Sequence, residues 1–264
     1  MRLPELLSQE PWDIHLISKY LDKLLAEAVA DVNTNFSPTR LVKLPRQAEP
    51  LPTDTLQLSS FRTRIGTILE YALSTALARL LKERYANRYL LTFAVSHEYP
   101  DFYLRDSTLT AILRIEMKAV DADSDEQAAR FSTPTAWIDE RRDLLLLIGW
   151  EWKDLISDGT VIGEYPHIFA SLILPAGEIA KERDARLTIT GGKIEGEQVY
   201  VYSKKKSEWV LDAGNYGKFW RIIHTTRRDS EDLSDTLRAF MRFLEHIDAH
   251  SPRQRLRSRK RGRT

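Results

Sequence analysis

Two acidic residues and one lysine have the types and spacing that phosphodiester hydrolysis requires. Asp101 follows Pro100, and after fourteen intervening residues come Glu116 and Lys118, with one residue between them. Carboxylate oxygens are the protein ligands that Mg²⁺ prefers, and the bound ion offsets the negative charge of a phosphate. A nearby ammonium group positions or deprotonates the attacking water, or stabilises the transition state. We therefore expect Asp101 and Glu116 to bind the metal and Lys118 to be the catalytic cation, in either role.

Glu116 and Lys118 fall within residues 109–120, a stretch whose apolar and β-prone residues predict a strand. Alternate side chains of a strand point to opposite faces, so Arg114, Glu116 and Lys118 share one face. Charged groups repeated on one face of an apolar strand are costly unless they have partners. A metal ion and a phosphate would be such partners.

The position of Asp101 relative to Glu116 depends on the turn between their strands. A tight hairpin closed by Leu104 and Leu109 would place Asp101 opposite Ile112 instead of Glu116. For both carboxylates to bind one ion, the loop must be centred later in the chain, or the chain must bend or bulge near Asp101.

The pairing of Pro100-Asp101 with Glu116-Met117-Lys118 resembles the motif of the PD-(D/E)XK nuclease superfamily, which includes many type II restriction endonucleases. The resemblance covers roughly residues 59–152. It implies an α/β fold with a central mixed sheet flanked by helices, the acid and the E-X-K on neighbouring strands, and Mg²⁺-dependent cleavage of DNA. Many members carry one more acid on the preceding helix, and Glu70 matches that position as a further catalytic residue.

An alternative explanation of these residues is structural. The E-X-K pattern is common, and Glu116 and Lys118 would then form the solvated face of an edge strand, with Pro100-Asp101 as a turn. The Pro-Asp at a hairpin-like distance, the apolar strands and the preceding helix with its acid favour the nuclease site. The polar segment after Lys118, which begins with Asp121 and Asp123, is either a further metal shell or a solvent-exposed loop.

The periodicity of apolar residues predicts an alternation of helices and strands. The predicted helices cover residues 12–32, 59–85, 177–187 and 230–249. The predicted strands cover residues 90–95, 102–104, 109–120, 144–152, 167–174, 198–203, 208–211 and 218–224. We expect three regions: a helical N-terminal arm with a linker over 1–58, a nuclease domain with a C-terminal extension over 59–250, and a disordered basic tail over 251–264.

The formal net charge of +1 hides an uneven distribution over the 264 residues. Residues 253–263 contain six Arg, one Lys and no acid, which leaves 32 basic and 38 acidic residues elsewhere. This tail is either a source of non-specific attraction to phosphates or a solubilising extension.

Five basic residues are candidate DNA contacts. Arg62 and Arg64 lie on the predicted helix that carries Glu70, and three consecutive lysines lie in a predicted hairpin turn. The lysines are Lys204, Lys205 and Lys206. Side chains of these types commonly contact DNA phosphates. The alternatives are arginines on a solvated helix surface and a solvated turn.

Together these features predict a sequence-specific endonuclease of double-stranded DNA, similar to a type II restriction enzyme, with Mg²⁺ as cofactor. A two-fold recognition site would imply a homodimer. No apolar run approaches the roughly 20 residues of a membrane helix, and the absence of cysteine fits a reducing cytoplasm. The alternatives are a repair, recombination or transposition nuclease of the same superfamily, and a non-catalytic DNA-binding protein with a degenerate nuclease fold.

Overall fold

A mixed five-stranded sheet forms the centre of the chain in the computed structural model, which describes residues 2–35, 55–94, 99–123, 129–212, 214–225 and 232–250. The strands are β1 (Tyr89–Phe93), β2 (Phe102–Asp106), β3 (Ala111–Asp121), β4 (Asp143–Ser157) and β5 (Thr160–Pro175). The first three form an antiparallel meander, β4 runs parallel to β3, and β5 runs antiparallel to β4. The predicted α/β fold with a mixed sheet is therefore confirmed.

Helices contribute to two separate cores on this sheet. The helices are α1 (Leu3–Leu7), α2 (Ile14–Asn35), α3 (Thr55–Tyr85), α4 (Ala176–Ile189), α5 (Phe219–Thr225) and α6 (Asp235–His250). Apolar residues of α1, α2 and α3 form the first core with the strands. Those of α4, α5 and α6 form the second.

The run of four leucines at the start of β4 explains why both cores need this strand. Leu144 and Leu146 enter the first core, whereas Leu145 and Leu147 enter the second. A strand that is covered on both faces has a nearly continuous apolar sequence instead of an alternating one. Full burial of each leucine contributes about 1.5–3 kcal/mol, so these residues fix β4 at the centre of the sheet.

The β2–β3 hairpin has the later turn that metal binding by both acids requires. Phe102 pairs with Ile115, and a bulge shifts the register of the hairpin between Leu104 and Arg105. The turn begins at Asp106, whose side chain accepts the backbone N–H groups of Thr108 and Thr110. Extending this register by one residue places Asp101 opposite Glu116.

A small antiparallel sheet follows α4 and consists of β6 (Gly192–Glu195), β7 (Gln198–Ser203) and β8 (Glu208–Leu211). Its β7–β8 hairpin has the predicted bounds. The strand predicted over 218–224 is wrong, because this segment forms α5. Phe219, Ile222 and Ile223 have helical spacing and are all buried in the second core, which a strand with alternating faces could not achieve.

The fourth and fifth strands are longer than the sequence predicts. The strands β4 and β5 extend beyond 152 and before 167 to a turn at Asp158 and Gly159, both of which have positive φ. The polar segment before β4 contains a short 3-10 helix, Thr135–Trp137. The linker over 36–54 and the basic tail over 251–264 lie outside the described residues. Within the described chain, no helix is long and apolar enough to cross a membrane.

Candidate active site

The three predicted residues of the motif meet along the part of β3 that extends past Phe102, the first residue of β2. The pairing with β2 ends at Ile115, and the next two N–H groups on this side donate to carboxylates. The N–H of Met117 donates to Oδ2 of Asp101 at 2.8 Å, and the N–H of Ala119 donates to Oε1 of Glu70 at 3.2 Å. The unpaired edge of β3 therefore brings two acids from distant parts of the chain to one place.

Lys118 lies between these acids and Glu116. Its Nζ is 2.6 Å from Oε1 of Glu116 and 3.7 Å from Oδ2 of Asp101. Glu116 is only 9% exposed, and about a quarter of the Lys118 side chain is exposed. The cluster is consequently buried at Glu116 and open to solvent at Asp101, whose side chain is 41% exposed.

The cluster contains more acid than base. Burial raises the pKa of Glu116, the charge of Lys118 lowers it, and the neighbouring Asp101 raises it further. Burial likewise raises the pKa of Glu70 to about 7, although Lys118 opposes this shift. Burial lowers the pKa of Lys118, but the surrounding carboxylates outweigh it and hold the pKa above its ordinary value. Lys118 is therefore an ammonium ion at neutral pH.

The close contact of α3 with β3 brings Glu70 to the cluster. Leu69 and Leu73 anchor this part of α3 in the first core. One turn before Glu70, a Cβ built at Gly66 would lie 3.4 Å from the Cβ of Ala119, so the helix lies directly against β3. The predicted acid on the preceding helix thus lies beside Asp101, Glu116 and Lys118.

The donor set suits a hard divalent cation. Glu70, Asp101 and Glu116 offer only carboxylate oxygens, and with Lys118 they carry a net charge of −2 when ionised, which one divalent cation would offset. Among the described residues, no group of three or more His, Cys, Asp and Glu side chains is arranged to hold a metal ion. Mg²⁺ does not require such a group, because it usually keeps several waters and binds one or two carboxylates together with substrate phosphates. Two carboxylates are thus compatible with Mg²⁺, and Asp101 and Glu116 are the residues that would hold it.

Arg114 shares a face with Glu116 and Lys118 in the sequence pattern, but its partner is part of the protein. Its guanidinium donates to both carboxylate oxygens of Asp143 at 2.6 Å, and Asp143 is fully buried. The hydroxyl of Tyr99 also donates to Asp143 at 2.6 Å. Sequence reasoning missed Asp143 and Tyr99. Only the parallel pairing of Arg114 with Asp143 across β3 and β4 would have revealed them.

Arg62 is engaged within the fold. Its Nε lies 2.8 Å from Oδ2 of Asp121, and its Nη2 donates to the carbonyl oxygen of Asp123 at 2.9 Å. Asp121 is buried, and burial raises its pKa to about 6 against the opposing effects of the Asp123 backbone N–H and of Arg62. Asp121 is therefore neither a solvated loop residue nor part of the carboxylate cluster.

The other basic candidates remain at the surface. Arg64 is exposed on α3. The three lysines occupy the β7–β8 turn of the small sheet, where Nζ of Lys206 is 3.8 Å from Glu208. The structure thus brings together Glu70, Asp101, Glu116 and Lys118, and leaves the lysine turn on a separate sheet.

No protein-family model matches the chain, and no curated protein matches it. The features of the chain that bear on its function are therefore the geometry of the carboxylate–lysine cluster and the motif that its residues form.

Proposed function

We propose that this protein is a magnesium-dependent endonuclease that hydrolyses the phosphodiesters of DNA. One observation carries the proposal. Asp101 and Glu116, which are separated by fourteen intervening residues, converge on Lys118 at the unpaired edge of β3. Glu70 joins them from α3 through the N–H of Ala119.

The composition of this cluster supports a cation site better than a purely structural role. Two of its acids accept N–H groups of β3, which accounts for part of the arrangement. A single ammonium does not balance these three carboxylates when all are ionised, and charge that is withdrawn from water without a partner is costly. A second cation near Asp101 and Glu116 removes this imbalance. When bound, Mg²⁺ supplies positive charge opposite the phosphate.

The ion pairs of Lys118 with Asp101 and Glu116 favour one of the two roles considered for it, because two carboxylates so close to an ammonium retain its proton. An ammonium ion cannot accept a proton, so Lys118 orients the attacking water and offsets the charge that develops on the phosphate. The water oxygen forms a new bond to phosphorus while the bond to one ester oxygen breaks, which leaves a phosphate and a hydroxyl end. The proton of the water leaves through solvent or a carboxylate of the cluster.

Within this class, a type II restriction enzyme that cuts both strands at a specific site, as a homodimer, is the first choice. The E-X-K resemblance supports it. A repair, recombination or transposition nuclease is the second candidate. A pair of exposed aromatic rings beside the cluster, Tyr71 and Phe93, favours it because such rings stack on unpaired bases.

Incubation of purified protein with phage DNA tests the proposal directly. Reactions would contain Mg²⁺, Mn²⁺ or EDTA, and an Asp101→Asn variant would be the matched control. Discrete fragments that require metal and Asp101 support a restriction-type nuclease. Cutting of branched DNA alone supports the second candidate. If the DNA stays intact with every divalent metal, the nuclease proposal is contradicted and the alternative of a DNA-binding protein with a degenerate nuclease fold is supported.

A further inference from the structure

Two large aromatic side chains are stacked on each other at the surface beside the carboxylate cluster. The ring centroids of Tyr71 and Phe93 are 4.9 Å apart, with an interplanar angle of 20°. Tyr71 is 60% exposed and Phe93 is 47% exposed. Exposed single apolar residues are normal, but a stacked pair of rings in solvent offers a flat surface to a planar ligand.

Both rings belong to elements that carry acids of the cluster. Tyr71 directly follows Glu70 on α3. Phe93 pairs with Phe102 across β1 and β2, and its ring centroid is 4.9 Å from that of Phe102, which directly follows Asp101. The pair therefore lies near the cluster, on the face of the sheet that α3 covers.

The exposed face of α3 that carries Tyr71 also carries a positively charged residue, Arg64. Arg64 precedes Tyr71 by seven residues, which is two helical turns or about 10 Å along the axis. Thr67 and Ile68 lie between them and are also exposed. An aromatic platform combined with a cation at this spacing matches the chemistry of a nucleic-acid strand, whose bases stack and whose backbone is anionic.

We infer that Tyr71 and Phe93 stack on an unpaired DNA base next to the scissile phosphate, while Arg64 contacts the backbone of the same strand. The inference rests on the proposed function, because it places this strand in the nuclease site. It favours the second candidate, because the DNA would be single-stranded, or frayed from its duplex, where it enters the cluster. A base within an intact duplex is already stacked on its neighbours and has no free face for these rings.

Binding of a fluorescein-labelled single strand of about 16 nucleotides, free and within a duplex, tests the inference by anisotropy in EDTA. Tyr71→Ala weakens binding of the single strand about tenfold, because stacking on one base is lost, and has a much smaller effect on the duplex. Tyr71→Phe, which keeps the ring, retains wild-type affinity. Tyr202→Ala is the matched control, since Tyr202 is 50% exposed on the small sheet.

A second readout reports stacking itself. A 2-aminopurine base in the single strand loses fluorescence on binding the wild type and keeps it on binding Phe93→Ala. Arg64→Gln lowers the slope of log affinity against log salt by about one. Unchanged single-strand affinity in Tyr71→Ala overturns the inference. So does a change in sedimentation without a change in DNA binding, which would make this face a contact between copies.

The binding assay separates this inference from the nuclease proposal, since EDTA prevents metal-dependent cleavage. If DNA stacks on the rings but no divalent metal supports cleavage, the nuclease proposal is contradicted and the single-strand binding surface is supported. If wild type and Tyr71→Ala cleave intact duplex at equal rates, the stacking role of the rings is contradicted and the nuclease proposal is supported.

Discussion

The ammonium of Lys118 lies 2.6 Å from the carboxylate of Glu116, two residues away on the same face of β3. Such a contact on an exposed edge strand would be a weak surface ion pair. Here Glu116 is buried, and Asp101 and Glu70 add negative charge to the same space. Lys118 therefore holds together a cluster that would otherwise repel itself, and it keeps its own proton.

Removal of this ammonium is expected to separate catalysis from binding. Lys118→Ala reduces the rate of DNA cleavage by a factor on the order of 10² to 10³, the usual cost of losing one group that stabilises transition-state charge. DNA affinity changes little, because most phosphate contacts lie elsewhere. Single-turnover cleavage and anisotropy on the same DNA measure the two effects.

Lys181→Ala is the control for this variant, because Lys181 forms a comparable 2.6 Å ion pair with Glu140 at the surface. Cleavage by Lys118→Ala at a rate near that of the wild type contradicts the catalytic role. Equal loss of affinity and rate points instead to a damaged fold.

The two proposed metal ligands are expected to control cation affinity. Asp101→Asn and Glu116→Gln each weaken Mn²⁺ binding by roughly tenfold or more, since even residues behind the ligands contribute ten- to a hundredfold. Isothermal titration calorimetry measures the change without requiring cleavage. Glu140→Gln serves as the control, because Glu140 is an exposed carboxylate with a lysine partner. Unaltered Mn²⁺ affinity in both variants contradicts the assignment.

The motif and its distances were predictable, but the partners of the charged face were not. Alternation along β3 predicts that Arg114, Glu116 and Lys118 share a face. The expectation that ligands would satisfy all three is wrong for Arg114, because Asp143 begins the parallel neighbour β4, 29 residues away. A parallel pairing and its register depend on tertiary packing, which one sequence does not show.

The hairpin and α5 show the same limit at the local level. The tight turn that would misplace Asp101 is avoided by a turn that begins at Asp106 and by a bulge at Ile112, the extra residue of β3 opposite Leu104 and Arg105. The structure therefore has the later-centred loop, one of the two solutions that the sequence left open. The apolar run from Phe219 to Ile223 suits a strand as well as a helix, since short apolar segments have no decisive period. This segment forms a helix because one helical face of it is buried in the second core.

The buried Asp121 gives the stability of the protein a specific dependence on pH. Its pKa is raised from 3.8 to about 6 in the fold, so the folded chain binds a proton more tightly than the unfolded chain does. This group therefore lowers the free energy of unfolding as pH rises from 4 to 7, by an amount on the order of 3 kcal/mol. Asp121→Asn removes this titration.

Urea unfolding at pH 4 and pH 7 measures the effect as a difference between proteins. Wild type loses more stability over this interval than Asp121→Asn, whereas the exposed control Asp154→Asn follows the wild type. If wild type and Asp121→Asn show parallel pH profiles, Arg62 fully compensates the burial of Asp121, and the raised pKa is wrong.

The basic tail is expected to act on DNA through charge alone. Truncation after His250 removes the seven basic residues of 253–263 and leaves α6 intact. Each phosphate contact adds about 0.9 to the slope of log affinity against log salt, since it releases condensed counterions. The truncated chain therefore binds unrelated DNA more weakly at low salt, and its affinity depends less steeply on salt.

Anisotropy at several salt concentrations measures both changes, and a control in which the arginines are replaced by glutamine at full length separates charge from length. Superimposable salt plots for full-length and truncated protein assign the tail to solubility, because neutralised phosphates would have left a measurable slope.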